Sequence, residues 1–427
     1  MGGRKGENGA QAHPTVAERA SRGKAARREV QRRAHGEWEA PAPRVDPVAI
    51  LQEQDKSRVS ELVPIRMGRM LVSPFAFFRG AAAIMAADLA EGPRTGLQAQ
   101  LCGDAHLSNF GIFAAPDRRL TFAVNDFDET LPGPFEWDLK RLVASFAVAG
   151  RERGLGRKER SRVSAAVARS YREAMRNFAS MRTLDLWYSS VDVDQLVRSF
   201  AKQASSREAK RLDRNLAKAR TKDSLKAFAK LTHLVDGEPR IVSEPPLIVP
   251  LDELQDGGQR QIAHETVSRL LRDYRRTLSG ERRRLLERFR YVDAAHKVVG
   301  VGSVGTRAWI VLMLGRDDDD PLFLQAKEAG ASVLEPHLGK SAYSNHGQRV
   351  VEGQRLMQAA SDILLGWLRE KSGDDAPRDF YVRQLWDQKG SAPVATMTPR
   401  LLEDYGRLCG WTLAKAHARS GDPIAIG

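Results

Sequence analysis

The residue pattern of this 427-residue chain predicts an α+β fold in two lobes. Two observations carry that expectation. Apolar residues recur at helical spacing from Val59 to Leu89 and over much of 137–290, whereas from Lys297 onward the pattern turns to short strand-like runs separated by turns. Length agrees, since a chain of this size suits two to three domains, or one two-lobed domain with additions.

The elements follow in order. Residues 1–45 are rich in Ala, Arg, Gly and Glu with little apolar periodicity, and read as a disordered basic arm. A helical segment is expected over 46–97, with a helix start at Ser73-Pro74 and an Ala-rich run from Gly80. Residues 98–296 read as a catalytic loop and a mainly helical lobe. Strands Gln98–Cys102 and Leu120–Val124 flank a loop, helix Trp137–Arg151 carries Leu139, Leu142, Val143, Phe146 and Ala147 on one stripe, and 158–290 is mostly helical. Residues 297–400 read as a strand-rich lobe: Val298–Val301, Arg307–Leu314 and Leu322–Ala326, a helix over about Asn345–Ala360, then strands Ile363–Leu368 and Phe380–Trp386. In 401–427 a final helix, Leu401–Ala418, is expected to return to the helical lobe.

Composition excludes several classes. With 42% hydrophobic and 29% charged residues the chain is neither fibrous nor of low complexity. The apolar run Ala308–Leu314 falls far short of the roughly 18 residues that span a bilayer. The N-terminus develops no apolar signal core, and Cys102 and Cys409 are too few for a disulfide framework or a four-thiolate zinc site, so a cytoplasmic location is the expectation. The net charge of +14 is carried by residues 1–45, 201–230 and 261–290, at +5, +7 and +5. Nucleic acid is one partner such charge allows. The expected basic helices Arg207–Lys230 and His264–Arg290 interleave no exposed aromatics for base stacking, which favours solvated helix faces.

Chemistry concentrates near residue 100. In Leu101-Cys-Gly-Asp-Ala-His-Leu-Ser-Asn-Phe-Gly111, Asp104 and Asn109 stand five apart on a loop after a strand, and Asn125-Asp-Phe-Asp128 follows the next strand. This is the Asp-to-Asn spacing of a phosphotransferase catalytic loop, in which Asp orients or deprotonates an acceptor hydroxyl and Asn holds metal. Asn109 and Asp126 make an oxygen-donor pair suited to Mg²⁺, with Asp104 left as base. Turn capping by Asp104 and Asn109 is the alternative. His106 reads as a packing residue. Arg66, Arg69 and Arg79 could bind a phosphorylated acceptor or bridge to Asp128, Glu129 or Asp138.

The run Cys102-Gly-Asp-Ala-His-Leu-Ser-Asn109, then Asn125-Asp-Phe-Asp128, then Trp137-Asp-Leu139 resembles the catalytic core of aminoglycoside-phosphotransferase-like kinases. With Arg66-Met-Gly-Arg-Met70 and Ser73-Pro-Phe-Ala-Phe-Phe-Arg-Gly80, the chain after residue 60 also resembles the bacterial domain-of-unknown-function family 2252. The resemblance implies a two-lobed protein-kinase-like fold, with Asp126 or Asp128 as the second metal ligand. Cys102 stands where those kinases usually have His, and the stretch from Asn109 to Asp126 is longer than usual.

Gly300-Val-Gly-Ser-Val-Gly305 fits G-x-G-x-x-G, and a strand rather than a helix is expected after it, which favours a kinase loop over a dinucleotide fold. Gly300, Gly302, Ser303 and Gly305 would cover phosphates and Lys327 would neutralise them. Its expected carboxylate partner is Glu352, with Glu328 and Glu335 as alternatives. Because this loop follows the catalytic loop by about 200 residues, the fold is expected to be circularly permuted. The sequence therefore reads as an ATP- and Mg²⁺-dependent phosphotransferase with an unidentified hydroxyl acceptor. Nucleic-acid binding, a non-catalytic nucleotide sensor and nucleotidyl transfer are the alternatives.

Overall fold

The computed structural model describes residues 13–40, 42–194, 214, 217, 220, 221, 223–254, 258–371, 376–386 and 388–427. Six helices and four strands come first: α1 (Val16–Glu29), α2 (Pro47–Asp55), α3 (Val63–Met70), α4 (Pro74–Gly80), α5 (Ala82–Ala90), β1 (Gln98–Leu101), β2 (Phe110–Ala114), β3 (Leu120–Val124), β4 (Leu131–Pro134) and α6 (Phe135–Glu152). Next are α7 (Arg157–Ser180), α8 (Thr183–Tyr188), α9 (Ser224–Leu231), β5 (Thr232–Val235), β6 (Glu238–Ile241), β7 (Ile248–Pro250), α10 (Gly258–Arg276) and α11 (Gly280–Leu286). The remainder is β8 (Arg290–Lys297), β9 (Ala308–Leu314), β10 (Pro321–Ala329), α12 (Glu335–Leu338), α13 (His346–Met357), β11 (Gly366–Glu370), β12 (Arg378–Gln384), β13 (Gly390–Ser391), α14 (Pro399–Ser420) and α15 (Pro423–Ile426).

The fold is mixed α+β with antiparallel strand pairing. Its largest described sheet has six strands in the order β11-β12-β10-β9-β8-β7. Alternation along β9 sends Val311 and Met313 to one face, packed with Leu271 and Tyr274 of α10, and Ile310 and Leu312 to the other, packed with Ala227 and Leu231 of α9. A second core joins β2 and β3 to α6, α7 and α14 through Leu142, Phe146, Val167, Tyr171, Phe178, Tyr405 and Leu413. It also takes in Val350 and Val351 of α13 and Tyr381 of β12, so apolar packing runs continuously from the helical part to the sheet.

Four sequence expectations change. The arm expected to be disordered contains α1, started by a capping box in which Thr15 and Glu18 satisfy each other's backbone. Its small apolar face suffices because Ala26 packs with Leu97 and Ala425, and Arg19 pairs with Asp422 at 2.7 Å, partners too distant in sequence for local periodicity to reveal. The strand expected at Val298–Val301 is instead β8, and 298–307 forms the loop. Arg290–Lys297 is poor in β-branched residues, but pairing with both β7 and β9 overrides that weak propensity. The helical stretch 158–290 is interrupted by the β5–β6 hairpin and β7, and the helix expected at His264–Arg290 is two helices followed by a strand. Much of the expected helix Arg207–Lys230 lies outside the described residues; within it, Ser224–Lys230 belongs to α9.

Helix α14 carries one unusual side chain. Lys415 is 6% exposed and has no hydrogen-bond partner among the described residues. Burial, reinforced by the positive charge of Arg419, pulls its ammonium down to about 7 from 10.5. Between these values the unfolded chain binds more protons than the folded one, so this residue makes stability rise with pH across that window. Lys415→Met should remove a rise on the order of 2 kcal/mol between about pH 7 and about pH 9.5, read by urea denaturation at both values.

Candidate functional site

The loop after β1 is held from several directions. Asp138, in the first turn of α6, accepts the backbone N–H groups of Cys102 at 2.8 Å and Gly103 at 3.0 Å. Gly103 adopts φ +84°, and a Cβ there would lie 2.2 Å from the Glu129 carbonyl oxygen, so this position needs glycine. The Tyr405 hydroxyl donates to the Leu107 carbonyl at 2.7 Å, and Ser145 Oγ accepts the Leu107 N–H at 3.0 Å. These contacts place Asp104 and Asn109 on a fixed turn. Asn109 Nδ2 donates to the Asp104 carbonyl at 2.9 Å, and the Asn109 carbonyl accepts the Asn125 N–H at 2.8 Å. The Asp104–Asn109 loop is thereby tied to the turn carrying Asp126 and Asp128.

Arg141 Nε donates to Asp104 Oδ1 at 2.6 Å, while its Nη2 donates to the Phe78 carbonyl at 2.8 Å and its guanidinium lies over the Phe78 ring. Asp104 Oδ2 is 3.8 Å from His106 Nε2. His106 Nδ1 accepts the Ser108 N–H at 3.2 Å, and burial pulls the imidazole down to about 4, so the ring is neutral at physiological pH with its proton on Nε2.

Lys327, buried on β10, forms an ion pair with part-buried Asp128 through Oδ2, and Tyr381 on β12 donates its hydroxyl to Asp128 Oδ1 at 2.8 Å. Burial alone would discharge Lys327; Asp128 and, further off, Asp126 hold it charged, above its ordinary range. Arg349 of α13, 2% exposed, donates to the carbonyls of Thr130, Asp128 and Gly330, each at 2.8 Å. Glu352 is therefore corrected as the partner of Lys327. It pairs with Arg355 at 3.1 Å, because Arg349 takes the inward position on α13 and Asp128 supplies the carboxylate. Neither alternative pairs with Lys327: Glu328 accepts from the Arg307 backbone N–H, and Glu335 faces His346 at 3.8 Å.

The glycine loop joins β8 to β9 and rests on the N-terminal helices. The carbonyls of Gly300, Gly302 and Val304 accept from Arg69 Nη1 at 2.7 Å, Arg66 Nε at 3.3 Å and Arg58 Nη1 at 2.7 Å, and that of Gly305 accepts the Val59 N–H at 2.9 Å. A trans peptide directs its N–H opposite its carbonyl. The N–H groups of Val301, Ser303 and Gly305 therefore point away from the arginines, and none has a protein acceptor among the described residues. Three such donors suit an anion. Gly302 allows the contact, since a Cβ there would stand 2.9 Å from the Arg79 carbonyl.

For a metal, the donor set divides. No group of three His, Cys, Asp or Glu side chains among the described residues forms a ready-made cluster. Both oxygens of Asp128 are engaged. Asn109 Oδ1 takes no protein donor among the described residues, and Asp126 accepts only the Asp128 N–H, at 3.3 Å through Oδ1. An amide oxygen and a carboxylate fit a hard cation that takes its other ligands from water and phosphate. None of Arg66, Arg69 and Arg79 bridges to Asp128, Glu129 or Asp138: Arg66 pairs with Asp55 at 2.8 Å and Arg69 with the glycine loop. Sequence reading missed Arg141, Arg349 and Tyr381. Arg349 was legible only as an arginine sharing a packed helix face with Glu352, Gly353, Leu356 and Ala360.

Beside Arg141 opens a groove of about 1000 Å³ lined by Trp38, Phe77, Ile84, Met85, Lys140 and Val143, among others. No described helix is long and apolar enough to cross a membrane. A family model described as uncharacterized protein conserved in bacteria (DUF2252) matches residues 58–427. No curated protein and no solved structure matches the chain.

Removing the buried cation of this pair leaves the part-buried Asp128 carboxylate without its counter-charge. Lys327→Met should cost about 3 kcal/mol in urea denaturation, and adding Asp128→Asn to that variant should recover part of the loss.

Proposed function

We propose that the chain, which belongs to the DUF2252 family of uncharacterized bacterial proteins, is an ATP- and Mg²⁺-dependent phosphotransferase acting on a hydroxyl acceptor. One observation carries the reading: the ion pair between Lys327 and Asp128, residues 199 apart, joins the glycine-loop sheet to the turn beside the Asp104–Asn109 loop. The glycine loop between β8 and β9, the lysine on β10, and the following helix and two strands have the order of a kinase nucleotide lobe. Since this unit follows the catalytic loop in sequence, the kinase-like reading is a circularly permuted one.

In this mechanism the N–H groups of Val301, Ser303 and Gly305 bind phosphate oxygens and Lys327 offsets their charge. Arg141 holds Asp104 Oδ1, leaving Oδ2 to accept the proton of the acceptor hydroxyl. The acceptor oxygen bonds to the γ-phosphorus as its bond to the ADP oxygen breaks. Asn109 and Asp126 would hold Mg²⁺, which would supply positive charge against the charge that develops on the transferred group. Asp128, already engaged by Lys327, positions that lysine.

A second reading, polyanion binding, is favoured by two arginine-rich grooves. One, of about 630 Å³, includes Arg157, Lys158, Arg162, Arg169 and Arg407; the other, of about 550 Å³, is formed by Lys24, Arg27, Arg28, Gln31 and Arg32. Steeply salt-dependent nucleic-acid binding without nucleotide turnover would select it.

With Mg²⁺, ATP at a hundredfold excess over its Kd should stabilise the wild-type protein by about 2.7 kcal/mol, seen as a thermal shift. Asp126→Ala and Lys327→Ala should abolish that ligand-induced rise. Asp104→Asn should keep it while lowering turnover about 100-fold or more. No shift in folded wild type across millimolar nucleotides and metals would sink the phosphotransferase reading.

A further inference from the structure

Arg79 ends helix α4 between the two halves of the proposed site. The carbonyl of the preceding residue, Phe78, accepts from Arg141, the arginine that holds Asp104. The carbonyl of Arg79 itself packs on Gly302 of the glycine loop. Backbone contacts on consecutive residues thus fix Arg79 against both the catalytic-type loop and the phosphate-type loop. Its half-buried guanidinium is unlike its neighbours. Arg58, Arg66 and Arg69 donate to loop carbonyls, and Arg141 is committed to Asp104, but no part of the Arg79 guanidinium has a hydrogen-bond partner among the described residues, and its Nε is buried. Asp104 and Asp126 are the carboxylates whose charges oppose the desolvation of this cation. A buried donor without an acceptor is costly, and an incoming anion would relieve it.

Resting on the phosphotransferase reading, we propose that Arg79 is a catalytic residue that binds the transferred γ-phosphoryl group of the nucleoside triphosphate. Five donors on a planar fork suit the oxygens of that group, and an arginine supplied from the same chain stabilises the charge that builds on them during transfer. In the proposed mechanism the glycine-loop N–H groups and Lys327 take the ADP phosphates, which leaves the γ-phosphoryl group to Arg79. Arg79 therefore separates triphosphate from diphosphate recognition.

The test uses full-length wild type, Arg79→Ala and Arg79→Lys, with folding checked by thermal melting. Calorimetry with Mg²⁺ compares ADP with the non-hydrolysable imido analogue of ATP, and basal hydrolysis of ATP, with water in place of the acceptor, reports turnover. Arg79→Ala should bind ADP like wild type, bind the triphosphate analogue at least about 10-fold more weakly, and hydrolyse ATP about 1000-fold more slowly. Free guanidinium should restore part of that rate, and Arg79→Lys should remain impaired. Equal loss of ADP and analogue binding, or unchanged hydrolysis, would overturn the role of Arg79 while leaving the phosphotransferase reading standing. Failure of wild type to bind either nucleotide would remove both.

Discussion

A lysine 4% exposed to solvent keeps its charge only beside a carboxylate, and much of the centre of this protein follows from how Lys327 obtains one. Asp128 reaches it from the turn after β3, so β10 must lie against that turn. Tyr381 satisfies the second oxygen of Asp128, which brings β12 to the same place. Arg349 gathers the carbonyls of Asp128, Thr130 and Gly330, wedging α13 between the sheet and the turn. The apolar core passes through Val350, Val351 and Tyr381, so polar satisfaction and hydrophobic packing impose the same arrangement. Neither would orient the sheet as narrowly alone, because apolar burial is non-directional and the ion pair needs its other lone pairs filled.

The loop carrying Asp104 obeys a similar logic with the charges reversed. Asp138 spends its oxygens on backbone N–H groups and is also met by His417 Nε2 at 3.2 Å, whose Nδ1 contacts the Tyr171 hydroxyl at 2.8 Å. A chain of buried polar groups thus runs from α14 and α7 to the start of the loop. Such a network is stiff when its members are satisfied, and it leaves Asp104 as the carboxylate directed elsewhere. Neutral His106 adds no positive charge beside it, so Arg141 is the cation that fixes its geometry.

What could be read in the residues divides along sequence distance. The Asp104–Asn109 spacing and the Asn125–Asp128 turn were legible because a few residues of chain define them, and β3 and α14 were legible from periodicity. The glycine loop was legible as a motif, although β8 was placed eight residues late because Arg290–Lys297 has little strand propensity. Helical periodicity marked Glu352 as sharing a packed face; it could not say which partner lay opposite, and Arg349 took that place. Arginines were the least readable. On a helix they look like solvated charge, yet Arg66, Arg141 and Arg349 are nearly inaccessible because each finds carbonyl or carboxylate oxygens contributed by distant segments. The α1 helix was missed for the same reason, its docking surface being formed partly by residues 422–426.

The glycine loop differs from a free flap in one respect. Four of its carbonyls are already held by groups from residues 58–69, so its backbone dihedrals are restrained before any anion arrives. Ordering entropy that a mobile loop would lose on binding has been lost during folding instead. Association at this surface should then show a small conformational-entropy penalty and little dependence on loop closure. Release, conversely, would be governed by contacts to the anion itself rather than by the opening of a hinge.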